Sequence, residues 1–333
     1  MTGHQFDVVG IGNAIVDVLA RSDDTFLAEH DLPKGTMTLI DADRAAVLHA
    51  AMSSPVERSG GSAANTIAGA ASLGARAAFI GKVRDDALGA SFRRAIQDEG
   101  VHFETAAATD GAPTAQCLIF VTPDGQRTMN TYLGASTDFA AADLDADVIA
   151  ASAVTYLEGY LWDKAPAKEA FLEAARIAHD AGRRVALSLS DPFCVERHRD
   201  DFLALLEGHI DVLFANEDEI RSLYQVESFD DAMQRVRGHC DIAALTRSEK
   251  GSVVISGDEV HIEDAERVAA VVDTTGAGDA YAAGFLFGLG RGLGLDAAAR
   301  IGSIAAAEVI GHVGARPERP LGDLIAERIE THL

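Results

Sequence analysis

The sequence predicts an α/β fold with a largely parallel central sheet, helices on both faces of that sheet, and a small additional β-sheet. Short apolar runs alternate with longer alanine-rich stretches over nearly the whole chain. This alternation is typical of βαβ units, because consecutive parallel strands need a helical crossover between them. Two pairs of strand-like segments break the pattern, since no sheet helix separates their members. Those pairs predict the small sheet.

The elements of the central layer follow one another at the spacing of βαβ units. Strands are expected at residues 6–11, 77–80, 154–157, 185–189, 212–214 and 242–245. Helices are expected at residues 63–73, 87–97, 168–181, 218–224, 280–289 and 296–310. A further apolar strand at 268–272 is expected to lead into the helix at 280–289, and a turn at 314–317 to precede a last helix.

The segments that break the alternation are residues 15–20 with 37–40, and 116–121 with 128–133. The linker at 122–126 reads Thr-Pro-Asp-Gly-Gln, which has Pro and Gly where a hairpin turn needs them. We expect both pairs to form a β-sheet lid, made of about residues 15–41 and 115–133, over a single large domain that takes up the remainder of residues 1–333.

Composition excludes several classes of partner. The formal charge of −24 repels the phosphates of nucleic acids and anionic membranes, so neither is expected to bind. No apolar run reaches membrane-spanning length and no signal peptide is recognisable, so a cytoplasmic protein is expected. The three cysteines are odd in number and widely spaced, which favours neither a disulfide framework nor a cysteine-rich metal site.

Residues 273–280, Asp-Thr-Thr-Gly-Ala-Gly-Asp-Ala, carry the strongest chemical signal. Glycines just before a helix let backbone N–H groups converge on one point, where the helix dipole also favours an anion. Asp279 beside such a point is suited to take the proton of an attacking hydroxyl while the amides hold a phosphoryl group. The segment therefore suggests a kinase acting on an alcohol. The alternative for Asp279 alone is a helix-start residue stabilised by the dipole.

The first strand is followed by two polar residues, Asn13 and Asp17. Gly10 and Gly12 do not form a dinucleotide fingerprint, because the third Gly and the following helix are missing. Asn13 and Asp17 instead lie where sheets of this class bind ligands, and a carboxylate there suits adjacent sugar hydroxyls. A role for Asp17 in a turn or hinge is the alternative.

Two helix starts also have a structural and a functional interpretation. In the first, Gly61 allows a ligand close to the backbone, Ser62 is expected to cap the helix, and Asn65 lies one turn in. In the second, Asn216 and Glu219 have the spacing of an ordinary capping box. Phosphate loops of the Gly-x-x-x-x-Gly-Lys type, zinc helices and nucleophile elbows are absent from the sequence.

Taken together, these segments resemble the signatures of the ribokinase (PfkB) family of sugar and nucleoside kinases. The first signature is similar to Gly60-Gly61-Ser62-x-x-Asn65 followed by residues 73–75 and 80–89, and the second to residues 273–280. Asn216-x-x-Glu219 resembles the Asn-x-x-Glu motif of the family. The three lie in family order across essentially the whole chain. The resemblance implies a ribokinase-like three-layer α/β/α domain with a β-sheet lid.

The resemblance also implies roles for individual residues. The catalytic group would comprise Asp279 as base, the amides of Gly276, Ala277 and Gly278 as anion hole, and Arg127 on the lid as a contact to the transferred phosphate. The acceptor's ribose would be bound by Asn13, Asp17, Gly61, Ser62 and Asn65. ATP would contact Asn216, Thr246, Arg247, Gly251, Gly276 and Gly278. Glu219 would organise Mg²⁺ through water, and Asp273 would belong to a possible K⁺ site.

Within the family, Gly12-Asn13-x-x-x-Asp17 and the position of Arg127 are similar to adenosine kinases. Aromatic and apolar residues that would contact the base are Leu133, Tyr160 and Phe193, with Phe120 and Trp162 as further candidates. The resemblance thus implies ATP-dependent phosphorylation of the 5′-hydroxyl of adenosine to AMP, a reaction of purine salvage. The alternatives are a kinase of inosine, guanosine, ribose or fructose, or a non-catalytic ligand-binding regulator. Both a monomer and a homodimer remain open.

Overall fold

The computed structural model describes residues 4–330, without the side chains of residues 329 and 330. Its strands are β1 Phe6–Ile11, β2 Ile15–Arg21, β3 Met37–Leu39, β4 Val56–Gly60, β5 Ala77–Ile80, β6 Ala115–Val121, β7 Arg127–Tyr132, β8 Ser152–Glu158, β9 Arg184–Ser188, β10 Val212–Asn216, β11 Ile242–Thr246, β12 Ser252–Ser256 and β13 Glu259–Glu263. Its α-helices are α1 Asp24–Glu29, α2 Ala42–Ala51, α3 Ser62–Ser72, α4 Ala87–Asp98, α5 Ala146–Ala150, α6 Ala165–Asp180, α7 Pro192–Gly208, α8 Glu217–Tyr224, α9 Phe229–Val236, α10 Ala277–Gly290, α11 Leu295–Val309 and α12 Leu321–Glu330.

Eight strands form the large sheet, in the order β13-β12-β11-β10-β9-β8-β1-β5. The strands from β11 to β5 are mutually parallel, and β12 and β13 add an antiparallel hairpin at one edge. The predicted parallel sheet is therefore confirmed, with each predicted strand inside or within one residue of the observed one. The edge hairpin was not predicted, since its outer strand is largely exposed and lacks an apolar run.

Helices cover both faces of the large sheet. Alternate residues of one strand face opposite layers: Val8 belongs to a core cluster with residues of α3, α10 and α11, whereas Val9 belongs to a cluster with residues of α6, α7, α8 and α9. Burial of both faces explains why the strands are short, continuous apolar runs. The result is the three-layer α/β/α arrangement that the sequence predicts, with α12 packed outside α3, α10 and α11.

The strand predicted at residues 268–272 is wrong. These residues form no strand, and the side chains of Val271 and Val272 are exposed. The N–H of Val272 donates to the carbonyl of Ile310, at the end of α11, at 2.8 Å. An apolar run becomes a strand only where a neighbouring strand is available, and here the neighbour is a helix end. The helix that follows begins at Ala277, three residues earlier than predicted.

The remaining five strands form a small sheet, in the order β3-β7-β6-β2-β4. The predicted hairpin is confirmed: β6 and β7 pair antiparallel, and the N–H of Thr122 donates to the carbonyl of Gln126 at 3.0 Å. Residues 15–20 and 37–40 also lie in the small sheet, as expected, but they are not neighbours in it. Strand β3 pairs with β7, and β2 lies between β6 and β4. Both α1, which follows β2, and β4 were not predicted, because α1 is short and β4 reads Val-Glu-Arg-Ser-Gly.

Helices α3, α10 and α11 pack through glycines. A Cβ on Gly284 of α10 would lie 2.7 Å from the Cα of Gly302 in α11, and a Cβ on Gly69 of α3 would lie 2.9 Å from the Cβ of Ala283. Such contacts allow the backbones to approach closely and leave no room for a side chain. The position of α10 is therefore fixed on two sides.

None of the helices in residues 4–330 combines the length and apolarity needed to cross a membrane. All three cysteine thiols are free, and burial raises the pKa of Cys117, Cys194 and Cys240 to about 12.

Candidate active site

Polar residues collect at the carboxyl edge of the large sheet. Asn13 follows β1, Glu158 ends β8, Asn216 ends β10 and Thr246 ends β11. Because the strands are parallel, their carboxyl ends share one edge, where open α/β sheets bind ligands. Polar residues from four distant parts of the chain, three of them predicted as site residues, are thus brought to one edge of the sheet.

Asp279 lies in the first turn of α10 and is held by two residues of α3. Its Oδ1 accepts a hydrogen bond from the Ser62 hydroxyl at 2.6 Å, and its Oδ2 accepts one from Asn65 Nδ2 at 3.1 Å. Burial raises the pKa of Asp279 to about 6, against these two hydrogen bonds, which act to lower it. A carboxylate with this pKa is ionised at pH 7 and more basic than an exposed one, as a general base requires.

The predicted capping role of Ser62 is wrong, since its hydroxyl donates to Asp279 and makes no cap hydrogen bond. Gly61 is the N-cap of α3, with φ of +100°. A Cβ there would lie 2.1 Å from the carbonyl oxygen of Asn13, so the position requires glycine on both counts.

The turn before α10 supplies part of the predicted amide cluster. Gly276 is the N-cap of α10 with φ of +79°, and a Cβ on it would lie 2.6 Å from the Cβ of Ala315. The N–H of Ala277 donates to the carbonyl of Thr274 at 3.2 Å and is therefore engaged. The N–H groups of Gly276 and Gly278 meet no acceptor in the part of the chain that the structure describes. Two of the three predicted amides are available for an anion.

Asp17 lies on β2, with its carboxylate against Gly60: a Cβ on that glycine would lie 2.5 Å from the carboxyl group. Within residues 4–330 the Asp17 carboxylate accepts no hydrogen bond, although it is half-buried. Burial raises the pKa of Asp17 to about 6, nearby arginines oppose the shift, and the charge of Asp279 adds to it. A buried carboxylate without donors is available for hydroxyl groups of a ligand.

Asn13 and Glu158 bind each other. Asn13 Nδ2 donates to Glu158 Oε1 at 2.6 Å, and the Ala63 N–H donates to Glu158 Oε2 at 2.7 Å. Burial raises the pKa of Glu158 to about 7, and these hydrogen bonds oppose the shift. Sequence reasoning missed Glu158. Its signal was a single charged residue directly after the apolar run at 153–157.

Arg127 and Asp273 form an ion pair that joins β7 to the segment before α10. The other donors to Asp273 are Thr275, through its N–H at 3.0 Å and its hydroxyl at 2.7 Å, and the Gly314 N–H at 2.9 Å. Burial acts to raise the pKa of Asp273, but these donors and Arg127 hold it below its usual range. The residue predicted for a phosphate and the residue predicted for K⁺ thus contact one another.

Arg316, in the segment before α12, is a buried residue that sequence reasoning also missed. Its guanidinium donates to the Ala64 carbonyl at 2.8 Å and the Ser59 carbonyl at 3.1 Å, and pairs with Glu99 at 3.1 Å. Its positive charge acts to lower the pKa of both Asp17 and Asp279. An arginine in a surface-like turn sequence gave no signal for this position.

The predicted nucleotide contacts are built around α8 and the end of β11. Asn216 and Glu219 form a complete capping box, with the Asn216 N–H and Nδ2 donating to the two oxygens of Glu219 at 2.8 and 2.6 Å. Burial raises the pKa of Glu219 to about 7. Arg247 pairs with Glu217 at 3.1 Å and lies 4.1 Å above the Phe229 ring.

The backbone geometry at position 251 requires glycine by itself. Its φ is +80°, and a Cβ there would lie 2.0 Å from the carbonyl oxygen of Glu263. The glycine is required where the chain crosses close to the end of β13, whatever its relation to a nucleotide.

The residues predicted to contact the base lie in different environments. Leu133 lines a cavity of about 350 Å³ together with Leu39, Ile40 and Tyr132. The Tyr160 hydroxyl donates to the Ser190 carbonyl at 3.2 Å, and Phe193 is 72% exposed at the start of α7.

Phe120 and Trp162 are corrected to core residues. Both are buried: Phe120 lies 4.9 Å from Phe26, and Trp162 lies 5.5 Å from Phe171, measured between ring centres. Their size and their apolar neighbours in the fold explain their burial better than a ligand does.

Known proteins resemble this chain in both sequence and fold. Residues 34–320 match the pfkB family carbohydrate kinases. The structure of an adenosine kinase from Sinorhizobium meliloti is 52% identical, with a TM-score of 0.89, over 97% of this chain and 99% of that one. A probable sugar kinase from Rhizobium etli is 47% identical, with a TM-score of 0.90, over 98% and 99%. A probable chloroplastic fructokinase of Arabidopsis thaliana is 32% identical over 71% of this chain and 63% of that protein.

The family match covers most of the chain, and the two structures have the same ribokinase-like arrangement of a large, mostly parallel sheet and a smaller second sheet. The protein therefore belongs to the pfkB family of carbohydrate kinases and is a phosphotransferase with an alcohol group as acceptor.

Proposed function

We propose that the protein transfers the γ-phosphate of ATP to the 5′-hydroxyl of adenosine and produces AMP, a step of purine salvage. The observation that carries the proposal is the position of Asp279, which is fixed by Ser62 and Asn65 at the start of α10, beside two available amides. The identity of 52% to the adenosine kinase of Sinorhizobium meliloti over 97% of the chain supports adenosine as the acceptor.

In this proposal the acceptor lies between β2 and α3. The Asp17 carboxylate, which has no donor among the described residues, accepts hydrogen bonds from two adjacent ribose hydroxyls. Asp279 then accepts the proton of the 5′-hydroxyl as that oxygen attacks the γ-phosphorus, and the bond from that phosphorus to the bridging oxygen breaks to release ADP. The base of adenosine occupies the cavity beside Leu133, whose wall is largely apolar.

The phosphoryl group lies over the start of α10. The N–H groups of Gly276 and Gly278 donate to its oxygens, and the helix dipole adds to their effect. Arg127 exchanges Asp273 for the phosphate, to which a guanidinium can donate two parallel bonds. The small sheet acts as a lid formed by residues 15–41, 115–133 and β4, and its closure over the acceptor excludes water.

The nucleotide lies along the ends of β10 and β11, near Thr246 and Arg247. In the described part of the chain no cluster of three or more His, Cys, Asp or Glu side chains is arranged to hold a metal. Both oxygens of Glu219 already accept bonds from Asn216, so these residues fit an indirect role, in which water links Glu219 to Mg²⁺ on the phosphates. Bound Mg²⁺ would neutralise phosphate charge.

A K⁺ ion at Asp273 is not part of the proposal. The oxygens of Asp273 already accept bonds from Thr275, Gly314 and Arg127, and the guanidinium supplies the positive charge. These residues do not fit a monovalent cation while that ion pair exists, and the Thr275 and Gly314 donors remain on Asp273 when Arg127 moves to the phosphate.

A sugar kinase is the second candidate, favoured by the 47% identity to the probable sugar kinase of Rhizobium etli. Phosphate handling would be the same in both cases. The difference would lie in what fills the cavity beside Leu133, which a free sugar leaves empty.

Thermal shift with a panel of adenosine, inosine, guanosine, ribose and fructose, followed by detection of the phosphorylated product with Mg·ATP, tests the proposal. A ligand at about one hundred times its Kd should add about 2.7 kcal/mol of apparent stability. We expect the largest shift and the fastest turnover with adenosine. A large shift and turnover with ribose or fructose, and none with adenosine, would replace the proposal by the second candidate.

A further inference from the structure

Helix α3 begins without a cap of its own. Its N-cap residue is Gly61, which has no side chain, and the hydroxyl of Ser62 donates to Asp279. The first N–H groups of a helix need acceptors, particularly when they are buried. Here the acceptor comes from another element: Glu158, the last residue of β8, accepts the N–H of Ala63 at 2.7 Å.

We infer that Glu158 is a positioning residue that fixes the first turn of α3 and, through Ser62 and Asn65, the carboxylate of Asp279. The inference rests on the proposed function, in which Asp279 is the base. Glu158 also binds Asn13 at 2.6 Å, so a single carboxylate joins the ends of β1 and β8 to the start of α3. Together with β2, which carries Asp17, those three elements form the acceptor side of the proposed site.

This carboxylate also helps to explain a glycine in the sequence. A Cβ on Gly12 would lie 2.4 Å from Glu158 Oε2 and 2.6 Å from the Cβ of Ala63. Gly12 therefore provides the space in which Glu158 reaches the helix. Of the two glycines near the end of β1, which are unsuited to a dinucleotide, only Gly12 lies at this contact; a Cβ on Gly10 would instead lie 2.4 Å from Ile67 of α3.

A stabilising cap alone does not account for Glu158. The side chain is 1% exposed, and an ionised carboxylate at that depth is unfavourable unless donors surround it. A serine or aspartate at position 61 would cap the helix at lower cost, but the φ of +100° and the close carbonyl of Asn13 exclude any side chain there. Capping from β8 leaves the Ser62 hydroxyl to Asp279.

The test compares Glu158→Gln with the native protein by steady-state kinetics toward the acceptor and ATP. The amide keeps the shape of the side chain but turns one acceptor into a donor. If the oxygen stays on the Ala63 N–H, the new NH2 group faces Asn13, whose side-chain amide must then flip to accept it and whose backbone N–H, 3.4 Å from Glu158 Oε1, meets a donor. We expect kcat/KM for the acceptor to fall about 10–100-fold. The KM for ATP should stay within about twofold, because Glu158 makes no contact on the nucleotide side.

Asp211→Asn is the matched control. Asp211 precedes β10 at the opposite edge of the sheet, and its Oδ2 accepts the Val185 N–H at 2.7 Å. We expect a similar loss of melting temperature in this variant and unchanged kinetics. Glu158→Asp, which keeps the charge and both acceptor oxygens but is one methylene shorter, serves if Glu158→Gln does not fold. It should show the same selective loss toward the acceptor, to a smaller degree.

A double-mutant cycle with Ser62→Ala separates positioning from general stability. If Glu158 acts through Ser62, the losses in kcat/KM should be strongly non-additive. Native acceptor kinetics in Glu158→Gln, equal losses toward both substrates, or additive losses in the cycle would overturn the inference. Asp279→Asn distinguishes failure of this inference from failure of the proposed function. Full activity of Asp279→Asn would contradict the assignment of Asp279 as the base. An inactive Asp279→Asn together with a native-like Glu158→Gln would contradict only the role of Glu158.

Discussion

In the site as proposed, the acceptor side and the nucleotide side are held together in different ways. On the acceptor side, Asp279 and Glu158 belong to a buried network whose hydrogen bonds run from 2.6 to 3.1 Å. On the nucleotide side, Arg247 is paired with Glu217 at partly exposed positions, and Gly278 is exposed. The acceptor side is therefore preorganised, whereas ATP must replace partners that the charged groups already have. Substitutions on the two sides should differ accordingly.

The largest effect is expected for Asp279→Asn. Loss of the base should lower kcat by about 10²–10⁴ while acceptor affinity is largely kept, because the amide remains a partner for Ser62. Turnover of Mg·ATP with the acceptor, and calorimetric titration of the acceptor, measure the two quantities. Asp323→Asn is the control. Asp323 is also the third residue of its helix, so this variant shows the effect of losing only the interaction between a carboxylate and the helix dipole. An active Asp279→Asn enzyme would contradict the assignment.

Asp17→Asn should have the next largest effect, and only toward the acceptor. Loss of charge-assisted hydrogen bonds to the ribose hydroxyls should lower kcat/KM for the acceptor about 10–100-fold, given about 1.5–3 kcal/mol for a bond to a charged group. The KM for ATP should not change. Melting temperature at pH 8 should stay or rise, because a half-buried carboxylate without donors in the described chain is unfavourable when ionised. A parallel increase in both KM values would show that Asp17 supports the fold and not the acceptor.

Arg247→Ala should have a smaller effect, confined to the nucleotide. The side chain is partly exposed and paired with Glu217, and exposed pairs contribute about 0.2–1 kcal/mol. We expect the KM for ATP to rise about two- to fivefold, with acceptor kinetics unchanged. Arg235→Ala, on the last turn of α9, is the control for loss of one surface charge. A change in acceptor kinetics would mean that the two sides are coupled.

The smallest effect concerns stability and pH. Burial raises the pKa of Asp17 and Asp279 to about 6 and of Glu158 and Glu219 to about 7, above their values in the unfolded chain. Between about pH 4 and 7 the folded state therefore binds more protons, and stability falls as pH rises through this window. The melting temperature of the ligand-free protein should decrease by a few degrees from pH 5 to pH 8.

The general negative charge acts in the same direction, so the slope needs a control. Asp17→Asn should show a shallower decrease than the native protein, whereas substitution of the exposed Asp43 by Asn should not. Identical slopes in all three proteins would assign the pH dependence to net charge alone.

The parallel sheet and its helices could be predicted because buried strands are apolar on both faces and amphipathic or alanine-rich helices separate them. Strand β4 could not, since Val-Glu-Arg-Ser-Gly becomes a strand only by pairing with β2. The segment at 268–272 shows the reverse case: it is an apolar run, but it forms no strand because no neighbouring strand is available for pairing. The local sequence indicates whether a segment has apolar side chains to bury. Whether the segment forms a strand depends on a neighbouring strand with which it can pair.

The site divides in a similar way. Ser62, Asn65 and Asp279 stand in short motifs, so the sequence indicated them, although not that Ser62 would bind Asp279. Glu158 and Arg316 contact α3 from positions 95 and 252 residues away along the chain. No local pattern records such a contact, and only the folded chain shows it.

The glycine contacts of α10 extend the site into the interior. Asp279 lies five residues before Gly284, about 7.5 Å along the helix axis at 1.5 Å per residue. A methyl group at Gly284 would meet the Gly302 Cα at 2.7 Å, and α10 would have to slide or tilt to relieve the overlap. The carboxylate would travel with the helix and leave its partners on α3. Some mutations that inactivate this enzyme should therefore map far from any substrate, at positions that look like ordinary interior packing.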